Sequence, residues 1–103
     1  MITEIQINMI GMCLAAKSAI IATTKQERDK DLNIINVWSR KLQIAIDNNV
    51  PEAQTYNSMY SLGSDLETTY GDRIIYDQNP TSDNWSNVQN DLMSIAQDTA
   101  TFD

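Results

Sequence analysis

The chain has no histidine and a single cysteine, Cys13, in 103 residues. One cysteine forbids an intramolecular disulfide and so excludes a disulfide-stapled scaffold. A structural zinc site wants about four Cys or His ligands, and that centre is out as well. A nucleophilic cysteine needs a base and an electropositive setting. No imidazole is present to serve, so Cys13, in the most apolar stretch, reads as a small buried side chain. Glycine and proline are also scarce, three and two residues respectively, which leaves long stretches without an enforced break. There is no phosphate-binding glycine loop, no G-x-S-x-G elbow and no basic strip interleaved with aromatics. An enzyme is not expected, and neither is a cofactor or a metal.

Basic residues are nearly missing from one half of the chain. Residues 51–103 hold nine acidic side chains and one basic, Arg73, a net of −8, whereas residues 1–50 carry a net of +1. The overall charge of −7 excludes direct nucleic-acid binding as the expected role, because that affinity rests on Lys and Arg neutralising phosphates. It favours solubility and partners with basic surfaces.

A targeting segment is not evident. Glu4 stands where a signal peptide needs a basic region, and no small-residue cleavage site follows a clean apolar run. The apolar stretch 5–22 is interrupted by Gln6, Asn8 and Lys17, whereas a span needs roughly 20 predominantly apolar residues. It also lacks the Lys/Arg-rich face of interfacial helices, so a membrane role is not favoured. The expected location is cytoplasmic, or exported without a cleaved signal peptide.

What the chain does have is helical periodicity, and the expected fold is a small all-α bundle in a single domain. Ile2, Ile5, Met9, Met12, Ala16 and Ala19 follow alternating three- and four-residue spacing. Ile10, Cys13, Leu14, Ile20 and Ile21 widen that seam until the helix is apolar nearly all round, which marks a central or shared helix. Residues 23–31, TTKQERDKD, contain no apolar side chain. The helix either kinks through them, with Lys25 and Asp29 paired four apart, or turns there, with Thr24 and Glu27 as a capping box. The continuous, kinked helix is the favoured expectation. The spacing resumes at Leu32, Ile35, Trp38, Leu42 and Ile46, and the residues before Pro51 end it. A weaker middle helix is predicted over about 51–70, begun by Pro51 and Glu52. Its apolar positions are Met59, Leu62, Leu66, Tyr70 and Ile74, with Gly63 as an interruption, Ser64 and Glu67 as a second capping box, and Gly71 as a stop. Residues 71–83 read as a polar connection. The last helix, about 83–101, places Trp85, Val88, Leu92, Ile95, Thr99 and Phe102 on one seam.

Candidate motifs for chemistry fail one by one. Asp29, Asp31 and Asn33 open like a calcium loop, but Ile34 replaces the required glycine and Arg40 the bidentate glutamate. Asp65 with Glu67, and Asp72 with Asp77, read first as a solvated acidic face rather than an acid–base pair. Asn84-Trp85-Ser86 matches a glycosylation sequon by chance, because Trp85 starts a helical seam.

The remaining candidates are contact residues. Ile5, Met9 and Met12, with Met1, offer an adaptable apolar surface, though core packing is the leading reading. Trp38 and Trp85 are anchors, in the core by default and at an interface as the sharper alternative. Tyr56, Met59, Tyr60 and Tyr70 cluster in the acidic half and suit either a recognition face or a core rim. The expected function is a non-enzymatic helical interaction module. It is expected to be oligomeric through its N-terminal helix, as in secretion-system components, chaperone-like adaptors and small phage or bacterial accessory factors. The alternative is an acidic inhibitor that imitates nucleic acid, with Asp65, Glu67, Asp72 and Asp77 on the blocking face.

Overall fold

The computed structural model describes residues 2–100, which form five α-helices and no strand among them. They are α1 (Glu4–Ile21), α2 (Lys25–Asp47), α3 (Pro51–Tyr60), α4 (Leu62–Gln78) and α5 (Ser82–Thr99). Met1 and Phe102, the latter the last residue of the C-terminal seam, lie outside the described residues.

The N-terminal segment is a hairpin, not one long helix. Ala22 leaves the helical region with ψ 135° and Thr24 sits extended at ψ 152°. With no apolar side chain to bury over 23–31, nothing repays a straight course through solvent, and a cap is available. The Thr24 hydroxyl accepts from the Glu27 N–H at 3.2 Å. The returning bond differs from the expected box, because the Glu27 carboxylate accepts from Thr23 rather than Thr24. Ser18 donates to Asp31 at 2.7 Å, and Gly11 lies under Trp38. The reversed order of these pairs makes α1 and α2 antiparallel.

α1 is the central element, packed on α2 along one flank and α5 along the other. Ile5, Met9, Met12, Ala16 and Ala19 are buried, as the seam requires, whereas Ile2 precedes the helix and is exposed. Cys13 is buried as a free thiol and donates weakly to the Ala96 carbonyl. The seam of α5 is buried at every described position, Trp85, Val88, Leu92, Ile95 and Thr99.

The middle of the chain differs most from expectation. It forms two helices, broken at Ser61 rather than at Gly63. Ser61 takes a left-handed conformation, φ 55° and ψ 39°, and the Gly63 N–H donates to the Asn57 side chain at 2.6 Å. Ser64 and Glu67 cap nothing and lie inside α4. Gly71 is no stop either, since α4 continues to Gln78 and the connection shrinks to residues 79–81. The inward face of α4 is Leu62, Leu66, Thr69 and Tyr76, leaving Tyr70 and Ile74 exposed, and Met59 on α3 is exposed as well. A reading by apolar residues alone misses this rotation, because two of the inward positions are polar or amphipathic. The Thr69 hydroxyl satisfies itself on the Asp65 carbonyl at 2.7 Å, and Tyr76 packs on Trp85 with ring centroids 5.2 Å apart.

Candidate interaction surfaces

Packing sorts the candidate contact residues into two groups. Ile5, Met9 and Met12 are spent inside the chain, between α1 and its neighbours. Trp85 is also interior, with Tyr76 on one side and the Arg28 guanidinium 4.9 Å from the ring centroid. Tyr56 and Tyr60 are half-buried at the rim of the core. Trp38 is half-buried too, with the Lys41 ammonium 5.3 Å over its ring. Met59 and Tyr70 face outward.

The N-terminal helix keeps a second apolar face, of which the sequence reading places Leu14 and Ile21 only in a widening of the first and leaves Ile7 out. Ile7, Leu14 and Ile21 stand seven residues apart and are 46%, 53% and 78% exposed. Seven residues is close to two helical turns, so the three side chains form one line. α2 and α5 cover the other sides of α1, and these three side chains stay exposed beside them. The signal was present in the spacing, but a helix apolar all round does not say which stripe turns inward.

A groove of about 510 Å³ separates α2 from α4, with Val37, Leu66 and Tyr70 as its apolar lining and Arg40 and Glu67 on its walls. Elsewhere between the same two helices the Arg73 guanidinium donates to the Asn33 side chain at 2.7 Å.

The acidic candidates do not form one face. Glu67 lines the groove, and Asp77 pairs with Arg73 at 3.5 Å. Asp65 and Asp72, seven apart on α4, meet Asp98 and Asp91, seven apart on α5. Burial is the largest cause that pushes Asp91 up to about 7, followed by the Asp72 carboxyl beside it and the charge of Asp65. Asp98 is pushed up to about 7 in the same order, by burial and then by Asp65. The pattern 65, 72, 91, 98 was visible as paired heptad spacing; which helix faced which was not.

The calcium-like triplet diverges in space. Asp29 pairs with Lys25 at 2.7 Å, Asp31 accepts from Ser18, and Asn33 accepts from Arg73. No group of three or more metal-ligating side chains converges among the described residues. Helix α1 has the length and apolarity to cross a membrane, but 44% of it is buried inside the bundle. No protein-family model, curated protein or solved structure matches the chain, so the functional reading rests on these surfaces.

Proposed function

We propose that this protein is a non-enzymatic helical contact module that pairs with a second copy of itself through the outer line of α1. The observation that carries the reading is the uncovered row of Ile7, Leu14 and Ile21 on the central helix. A row that repeats every seven residues supplies one of the two apolar positions per heptad that a shared helical seam uses. Pairing about a two-fold axis at Leu14 sets Ile7 opposite Ile21 of the other copy, so a single stripe is self-complementary.

The acidic-decoy alternative has less to work with. Four of the carboxylates on α4 and α5 turn toward one another, and Asp77 is tied to Arg73. That leaves few carboxylates free to imitate a phosphate track.

Sedimentation equilibrium tests the reading. The parent should approach twice its 11.6 kDa chain mass as concentration rises, and Leu14→Glu should stay at one chain mass with an unchanged helical circular-dichroism spectrum. A parent that remains monomeric at all concentrations overturns the reading. Flotation of the parent with neutral vesicles, lost in the same variant, would transfer the stripe to a membrane surface.

A further inference from the structure

The seam between α4 and α5 carries a second device, which involves none of Ile7, Leu14 and Ile21. Asp65 and Asp72 sit one heptad apart on α4, and Asp98 and Asp91 sit one heptad apart on α5 in the reverse order. The Oδ2 atoms of Asp91 and Asp98 are both shut off from water, and no N–H or O–H donates to either. Each instead lies against another carboxyl, Asp72 for Asp91 and Asp65 for Asp98. Two ionised carboxylates cannot satisfy one another, because each is acceptor-only. A proton between them turns the same contact into a short charge-assisted hydrogen bond.

We propose that the α4–α5 seam is a proton-operated latch, in which the pairs Asp65/Asp98 and Asp72/Asp91 each hold one shared proton when closed and repel once it leaves. In the closed state the protonated Asp91 donates to the Asp72 carboxylate, and the protonated Asp98 donates to the Asp65 carboxylate. When both protons go, four negative charges line one seam, and among the described residues no Lys or Arg acts on Asp91 or Asp98. The ionisable groups of α1, packed on the other side of α5, are Glu4, Cys13 and Lys17, and none of them acts on Asp91 or Asp98. Arg73 of α4 is engaged by Asp77 through Nε and by Asn33 through Nη2, its Nη1 is buried without an acceptor, and it does not act on Asp91 or Asp98.

The sign follows from linkage. A carboxyl that titrates near 7 in the folded chain and near its ordinary value unfolded binds more protons when folded. Stability is therefore present at low pH and lost as pH rises from about 4 to about 7. The comparison that spans the transitions of Asp91 and Asp98 is pH 5 against pH 8.

Thermal melts of the full chain at those two pH values, at fixed salt and concentration, test the latch. The parent should melt lower at pH 8 by roughly 5 °C or more. Asp91→Asn with Asp98→Asn replaces each shared proton by a permanent amide donor, so this variant should melt alike at both pH values and above the parent at pH 8. Glu67→Gln with Asp83→Asn removes the same charge elsewhere and should keep the parent's pH dependence. If this control flattens the profile as much as the seam variant does, the effect is net charge and the latch is overturned. A second readout is carboxyl-carbon NMR of the parent: two aspartates should titrate well above the rest, and a complete set titrating below about pH 4.5 overturns the proposal even if the variants fold poorly.

Discussion

Gly11 of α1 lies directly beneath the indole of Trp38 on α2, so close that a β-carbon at position 11 would stand 2.6 Å from Cε2. Three ring atoms fall within 2.9 Å of that position, so the whole ring, not the end of a flexible chain, would have to move. Gly71 of α4 is its counterpart, a glycine inside a helix with nothing within 4 Å of where a β-carbon would go. The two alanine variants are expected to differ in sign. Gly71→Ala should stabilise by about 0.5–1 kcal/mol from helix propensity alone. Gly11→Ala gains the same propensity but displaces Trp38, and the overpacking cost of about 1–3 kcal/mol wins. Chemical denaturation of both variants checks this, and Gly11→Ala should also shift tryptophan emission to longer wavelength.

The two tryptophans are expected to separate by the same method. Trp85 is buried against Tyr76 and Arg28, so Trp85→Ala should cost about 3–5 kcal/mol through the cavity it leaves. Trp38 is half-buried at the edge of the hairpin, and its truncation should cost about half as much, because much of its area already faces water. Equal losses would mean that Trp38 is covered in solution by something beyond the single chain, and the measurement should then be repeated at low protein concentration.

The particular residues show what sequence alone could and could not supply. The seams of α1, α2 and α5 were legible because each holds apolar side chains at three- and four-residue spacing, and burial follows that spacing closely. The turn at 22–24 was an open alternative, since a polar run does not say whether it is a solvated turn of helix or a corner. α4 was misread at both ends. Its start depends on a left-handed serine, a conformation that serine seldom takes and no spacing reveals. Its far end holds Gly71 inside a helix whose other residues keep it in place. Of the surfaces, the charge imbalance was plain, but its division into an ion pair, a groove wall and an interhelical carboxyl seam needed the antiparallel placement of α4 and α5.

Ser61 itself offers a stabilising change. Its φ of 55° places a β-carbon where an L-residue loses roughly 1 kcal/mol, a cost glycine escapes. The side chain makes no capping bond, so nothing is lost with it. Ser61→Gly should raise the midpoint of urea unfolding by an amount worth about 0.5–1 kcal/mol, less the added freedom of the unfolded chain. A decrease would mean that the α3–α4 corner adopts a different backbone in solution.

The two acidic residues of α4 are expected to act unequally on their partners. The charge of Asp65 raises both Asp98 and Asp91, whereas Asp72 raises Asp91 and does not act on Asp98. Asp65→Asn should therefore lower the titration midpoints of both Asp91 and Asp98, and Asp72→Asn should lower that of Asp91 alone. Neither variant should bring a midpoint down to the ordinary 3.8, because burial is the largest cause in both cases and remains. Stability should follow the same order. With less proton uptake on folding, the slope of stability against pH between about 4 and 7 becomes shallower, more so for Asp65→Asn than for Asp72→Asn. Side-chain carboxyl NMR gives the midpoints and pH-dependent melts give the slopes. If Asp72→Asn moved Asp98 as far as Asp65→Asn does, the two carboxyl pairs would be one undivided cluster, and the pairing of 65 with 98 and of 72 with 91 would be wrong.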